Sequence, residues 1–259
     1  MSAATQAPGR GSARVSSAVE DYLKAVYQLR DEAGTVTVQH LAEQLGVASP
    51  SVTSMVKRLS EQGLLRHAPY HGVALTEAGE RIALEVVRHH RLLERYLVEA
   101  LGYGWDEVHA EAERLEHHIS EELEARMDAA LGHPVVDPHG DPIPRRDGVV
   151  ASAGEVRLLD LEVGEEGVVH RVSDRDPAQL RYLGSLGLYP GAAVAVREVL
   201  PFDGPIRIRV DGAEHVIGHP VASAVRVDRR APHKAGPRHS GNEAGDPERG
   251  PSTDGRFDH

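Results

Sequence analysis

A mainly α chain with a separate β domain is what the sequence predicts, and three observations predict it. Apolar residues recur at helical spacing in successive segments from Ser17 to about residue 131. Capping and turn residues cut the early part of that stretch into short pieces. From Glu155 to about Asp228 the pattern changes to short β-like runs separated by Gly and Asp.

The first helix follows from Val19, Leu23, Val26, Tyr27 and Leu29, which place one apolar face on a segment from Ser17 to about Asp31. Thr37 is a good N-cap and Gly46 a good terminator for the next helix. Ser49 suits the cap of a third, with Pro50 at its first position. That helix runs to Gln62, buries Val52, Met55, Val56 and Leu59, and stops at Gly63. Two short helices joined by a few residues form the helix-turn-helix pattern. Leu64–His67, Pro69–Gly72 and Val73–Thr76 then read as strand, turn and strand, which makes a wing. The second helix of the pair presents Ser49, Pro50, Ser51, Thr53, Ser54, Lys57 and Arg58. Small hydroxyl residues at a helix start approach bases and phosphates closely, and Lys57 and Arg58 suit phosphate contacts. The expected partner is double-stranded DNA; the alternative is the exposed face of a winged helix used for protein contacts.

Thr76-Glu77 begins a long helix that runs to about Leu97 or beyond and is broken by Gly102-Tyr103-Gly104. A further helix is expected over Trp105–Leu131, closed by Gly132. Pro134, Pro138, Pro142 and Pro144 then make a connector without regular structure. Val168–Val172, Ala193–Val196, Ile206–Val210 and His215–Ile217 read as strands of a small β-barrel, with a short helix at Leu180–Leu188. Residues 1–15 and 229–259 lack apolar periodicity and read as disordered, and His233, His239 and His259 in the tail as solvated. The expected domains are therefore residues 16–76, 77–145 and 155–228, with a tail at 229–259.

The chain has 259 residues, 40% of them hydrophobic but only 4% aromatic, so its cores rest mainly on Leu, Val and Ala. The absence of cysteine excludes disulfides and thiolate chemistry. No apolar run is long enough for a membrane span and residues 1–18 lack a signal-peptide core, so a cytoplasmic protein is expected. The net charge of −11 is unevenly distributed. Residues 1–75 hold seven Lys/Arg against six Asp/Glu; residues 76–140 hold six against fifteen. A near-neutral first segment can carry a local basic face, and an acidic, His-rich middle suggests cation binding or else a solvated helical surface.

Residues three and four apart share a helix face, so His109, Glu113, Glu116 and His117 form one stripe. His90 and Glu94 form a similar pair on the preceding helix, and two antiparallel helices bring the sets together. Carboxylate and imidazole donors without sulfur suit Mn²⁺, Fe²⁺, Co²⁺ or Zn²⁺.

These residues, with Glu20-Asp21-Tyr22-Leu23, Ala48–Thr53, Leu75–Gly79, His90–Glu94 and His139–Pro144, resemble the diphtheria toxin repressor (DtxR/MntR) family of metal-dependent repressors. Residues 155–228, with Leu183–Gly191, resemble the SH3-like (FeoA-like) third domain of its longer members. The resemblance implies a winged helix-turn-helix, a helical metal-binding and dimerisation domain and an SH3-like barrel, acting as a homodimer on operator DNA. It implies two metal sites per subunit: Asp21, Glu113, Glu116 and His117 in the primary site, and His90, Glu94, His109, Asp176 and Gln179 in the ancillary site. Iron-sensing relatives carry Met and Cys where this chain has Asp21 and Glu113, which points to Mn(II) first and Fe(II) second. Short manganese sensors carry a further Glu where this chain has Lys24, which favours separated primary and ancillary sites.

Two other classes compete. A carboxylate/imidazole centre can activate water in an enzyme, but no Gly-rich phosphate loop or nucleophile motif accompanies it, and no enzyme is expected. A winged-helix regulator of an organic ligand would leave the His/Glu stripe solvated.

Overall fold

The computed structural model describes residues 15–68, 72–151 and 154–229. The expectations for residues 1–14, for the wing turn at 69–71 and for the tail from 230 onward, with His233, His239 and His259, lie outside the described residues.

The amino-terminal unit comprises α1 (Ser17–Ala33), α2 (Val38–Leu45), α3 (Ser49–Glu61) and the antiparallel wing β1 (Leu65–Ala68) and β2 (Gly72–Leu75). Thr37 caps α2 by accepting from the His40 amide, and Gly46 ends it at φ +64°, a left-handed conformation that glycine adopts without strain. The cap of α3 differs from expectation: Ala48 occupies it without a side-chain bond, and Ser49 is already helical. Leu23, Leu41, Val52, Leu59 and Leu65 close one core, onto which α4 (Glu77–Leu101) also packs. Thr76 caps α4 by accepting from the Gly79 amide. At Gly79 a Cβ would lie 2.1 Å from the Leu64 carbonyl oxygen, so only glycine lets α4 start this close to the wing.

The helix expected over Trp105–Leu131 is two helices, α5 (Val108–Leu115) and α6 (Glu121–Ala130). Ser120 explains the break: its side chain accepts from the Leu123 amide and starts a new helix. Glu116 and His117 therefore sit at a corner. The proline-rich connector folds back on α4, where Arg88 donates to the Pro144 carbonyl and Arg91 to that of Pro142.

The carboxy-terminal unit contains β3 (Val156–Arg157), β4 (Glu166–Val172), α7 (Pro177–Ser185), β5 (Ala193–Val199), β6 (Ile206–Val210), β7 (Ala213–Ile217), α8 (His219–Ser223) and β8 (Val225–Arg229). Its strands form one sheet in the order β3-β8-β4-β5-β6-β7, each neighbouring pair antiparallel. Bulges between Val169 and Arg171 and between Val196 and Glu198 bend the sheet about a core of Leu158, Leu180, Leu188, Ile208 and Val227. Helix α7 starts three residues before the expected Leu180, because Asp176 caps it and Pro177 opens it. The connector joins this unit to the helical one: the Val172 amide donates to the His139 carbonyl, and Arg171 pairs with Asp141 at 2.9 Å. Gly140, at φ +94°, passes so close to β4 that a Cβ would meet the His170 carbonyl oxygen at 2.1 Å.

Candidate metal centre

The α1–α4 packing and the corner after α5 bring Asp21, Glu116 and His117 into one cluster. His117 Nε2 lies 2.8 Å from Asp21 Oδ1 and 3.5 Å from Glu116 Oε1. The other ring nitrogen, Nδ1, lies 2.6 Å from Glu20 Oε2. A carboxylate on one imidazole nitrogen fixes the ring and leaves the opposite nitrogen for a metal. Glu116 Oε1 is buried without a hydrogen-bond partner, so an unsatisfied acceptor faces the cluster. Burial raises the Asp21 pKa; the neighbouring His117 opposes this, and Glu116 and Glu113 add to it.

Glu113 does not join these three. Its Oε1 lies 2.6 Å from Lys24 Nζ, and half its side chain faces solvent. It groups instead with His90 and Glu116. Lys24 is buried in the seam between the two donor sets, with Nζ 2.7 Å from Glu116 Oε2 and 3.2 Å from His90 Nδ1.

The second cluster is His90, Glu94, His109 and Asp174. Glu94 Oε1 lies 3.0 Å from His90 Nε2 and 3.1 Å from His109 Nδ1, and that same nitrogen lies 3.1 Å from Asp174 Oδ2. His90 Nδ1 reaches 2.6 Å from Glu116 Oε2, so this residue touches both clusters and the two are contiguous. Neither of the two residues expected from the third domain is among these four. Asp176 is exposed and caps α7, its carboxylate accepting from the Ala178 amide. Gln179 donates to the Pro220 carbonyl at 3.3 Å, on the wall of a cleft of about 480 Å³ that also holds His109 and Asp174. Asp174 is the carboxylate the third domain delivers, two residues from the expected one. Nothing in the periodicity of the loop distinguishes them; the difference is that Asp176 precedes a proline and serves as a cap.

Charge balance in this second cluster is internal. Burial disfavours the His109 cation, but hydrogen bonds to Asp174 and Glu94 outweigh it and raise the pKa to about 10. Burial would raise Asp174, yet His109 holds it at about 2. Glu94 is also pushed up by burial and held well below the carboxylate range by His90, His109 and His139. His139, fully buried, donates from Nε2 to the Trp105 carbonyl and turns Nδ1 to within 3.6 Å of Glu94 Oε2. The sequence pattern places His139 in a proline-rich connector, where helical spacing offers no signal for it. Glu94 Oε2, like Glu116 Oε1, is buried without a hydrogen-bond partner. Unsatisfied carboxylate oxygens among imidazoles, in a chain without sulfur ligands from cysteine, fit a divalent first-row cation.

On α3, Val52, Val56 and Leu59 point into the core, while Ser49, Pro50, Ser51, Thr53, Ser54, Lys57 and Arg58 are all exposed. Thr53 Oγ1 donates to the Ser49 carbonyl and Arg58 leans on Met55, which leaves the Lys57 ammonium at the surface. Among the described residues no helix is long and apolar enough to cross a membrane.

Comparison with known proteins agrees with this layout. Residues 14–73 match the family model for the iron dependent repressor, N-terminal DNA binding domain, and residues 76–145 that for its metal binding and dimerisation domain. Residues 156–229 match the FeoA domain. The iron-dependent repressor IdeR of Mycobacterium tuberculosis is 37% identical over 226 residues, spanning 81% of this chain and 96% of its own. The diphtheria toxin repressor of Corynebacterium diphtheriae is 30% identical over 219 residues, with 81% and 96% covered. A solved structure described as a manganese-dependent transcriptional repressor in complex with manganese has a TM-score of 0.78 at 42% identity, covering 82% of this chain and 100% of that one. The manganese regulator SloR has a TM-score of 0.70 at 33% identity, with 82% and 98% covered. With three domain matches in order and such relatives along most of its length, the chain belongs to the diphtheria toxin repressor family of iron- and manganese-dependent transcriptional repressors.

Proposed function

We propose that this protein is a Mn(II)-responsive repressor that binds operator DNA as a homodimer and holds metal at two sites per subunit. The observation that carries the reading is the Asp21–Glu116–His117 cluster, because Asp21 belongs to the first helix of the DNA-binding unit and the other two to the helical unit. Hard oxygen donors at Asp21 and Glu116, with one imidazole, suit Mn²⁺. The names of the IdeR relatives support Fe(II) as a second reading.

Asp21, Glu116 and His117 would form the primary site, with Glu113 beside it; His90, Glu94, His109 and Asp174 would form the ancillary one, with Gln179 at its rim. Bound metal supplies a fixed double positive charge to carboxylates that otherwise repel one another. Asp21 then holds α1, and with it α3, in one position relative to α4 and α5. Lys24 keeps Glu116 Oε2 occupied, which leaves Oε1 as the oxygen available to the primary site. His109 gives up its proton as the ancillary site fills. On α3, Ser51, Thr53 and Ser54 would face base edges and Lys57 and Arg58 the phosphates. Leu101, Tyr103 and Leu123, exposed on the helical unit, support a self-association face there. A dimer would read two half-sites about one helical turn apart. Calorimetry of the metal-free chain with Mn²⁺ and Fe²⁺ tests the metal: tight Mn²⁺ binding that Asp21→Ala and His117→Ala weaken is expected, and much tighter Fe²⁺ binding would overturn the manganese reading.

A further inference from the structure

One residue along α4 from His90, and so about 100° round the helix, His89 faces a different set of carboxylates. Glu85, one turn earlier on α4, and Glu121, the first residue of α6, each bring an oxygen near it. One donor atom from each of Glu85, His89 and Glu121 lies within 4.8 Å of the others. None of the three belongs to the primary or ancillary set.

The state of the His89 ring is an independent pointer to a ligand. The residue is only 7% exposed. Its Nδ1 lies 3.2 Å from the backbone carbonyl of Glu116, an acceptor only, so this nitrogen carries the hydrogen and donates it. The opposite nitrogen, Nε2, is buried and has no hydrogen-bond partner. A ring fixed by an N–H to a main-chain carbonyl, with its second nitrogen making no hydrogen bond, is the arrangement that metal-binding histidines use. The nearest carboxylate oxygen to Nε2 is Glu124 Oε2 at 3.4 Å, which favours the ring's cation, while Arg88 at 2.7 Å and Arg146 at 3.5 Å hold the other oxygen, Oε1. Among the described residues Glu85 and Glu121 have no ion pair with Lys or Arg. Burial raises the Glu85 carboxyl pKa; His89 opposes this, and Glu121, Glu20 and Glu124 add to it.

We propose that Glu85, His89 and Glu121 form a third site for a divalent first-row cation, separate from the two sites above. Two carboxylates and one imidazole supply three ligands, and the exposed side, where Glu85 and Glu121 reach solvent, leaves room for water to complete the shell. The site joins α4 to the start of α6. Through the hydrogen bond from His89 to the Glu116 carbonyl it also steadies the corner that carries Glu116 and His117.

The test uses the full chain stripped of metal and crystallised, then soaked in Mn²⁺ alone or Zn²⁺ alone, with anomalous scattering recorded for each. A peak within coordination distance of Glu85, His89 and Glu121 is expected, whatever the occupancy of the other two sites. In a Glu85→Gln/Glu121→Gln variant that peak is expected to vanish, and bound metal measured in solution to fall by about one ion per chain. Both positions are exposed, so the variant folds; its melting temperature without metal checks this. No peak for either ion in the parent chain, or a peak and stoichiometry that the double variant leaves intact, would overturn the proposal and leave His89 as an ion-pair partner of Glu124.

Discussion

The ammonium of Lys24 lies 2.7 Å from Glu116 Oε2, with both side chains buried, at the junction of α1 and the corner after α5. Burial disfavours the Lys24 cation, yet Glu116 and Glu113 more than compensate and hold its pKa above the usual lysine value. A permanent positive charge thus stands between the two donor clusters. It ties the DNA-binding unit to the helical unit through the same carboxylate that turns its second oxygen to Asp21 and His117.

Replacing Lys24 by Met removes that charge and leaves Glu116 buried without its partner. Losing one member of a buried pair costs about 3–5 kcal/mol, and the half-exposed Glu113 brings this toward the lower end, about 3 kcal/mol. The melting temperature of the metal-free variant should fall, and saturating Mn²⁺ should recover more of it than in the parent chain. An unchanged melting temperature without metal would remove Lys24 from the account.

The two aspartates of the third domain separate by experiment. Asp174→Ala removes a carboxylate 3.1 Å from His109 and should weaken metal binding at the ancillary cluster in calorimetry. Asp176→Ala removes a helix cap and should cost about 1 kcal/mol of stability while leaving metal binding unchanged. The reverse pattern would restore Asp176 to the ancillary site.

Much of this was legible in the chain. Thr37 and Gly46 bracket α2, Thr76 opens α4 and Gly102 closes it, because capping and left-handed backbone are local demands that single residues meet. His90, Glu94 and His109 come together because helical spacing puts donors on facing surfaces. The misses arise where no periodicity operates. Ser120, read as part of one long helix, caps a new one. Asp174 enters its cluster through the docking of β4 on the connector, a contact between residues far apart in sequence. Glu20 supports His117 from 97 residues away in the chain, a contact that helical spacing does not signal.

Acidity should act on the ancillary cluster in a defined direction. His109, held at about 10, lies above the ordinary 6.5. Its charged form therefore contributes to the metal-free fold fully below pH 6.5, and that contribution is lost as pH rises through about 10. Asp174, held at about 2, contributes fully above pH 3.8 and loses its contribution as pH falls through about 2. Metal needs the unprotonated ring, so Mn²⁺ affinity should climb between pH 6.5 and 9, by up to about tenfold per unit for each proton displaced. Calorimetry in buffers of different ionisation enthalpy should register proton release; binding that releases none would contradict this charge assignment.

Lys57 and Arg58 should contribute to DNA affinity through phosphates. Each substitution by Ala should weaken binding similarly for different duplexes and reduce the slope of log affinity against log salt by about 1. Fluorescence anisotropy across a salt series measures both, and a loss confined to one base sequence would assign these side chains to base edges instead.

In the proposed function, a cation held by Asp21, Glu116 and His117 couples metal to DNA binding. The most direct measurement is the affinity of the full chain for a duplex selected from random sequence, at fixed salt, with and without Mn²⁺, beside a Glu116→Gln variant. Mn²⁺ should tighten binding by about 5- to 150-fold per coupled site in the parent chain and leave the variant almost unresponsive. Equally tight binding by the metal-free parent chain, or a full metal response in the variant, would contradict it.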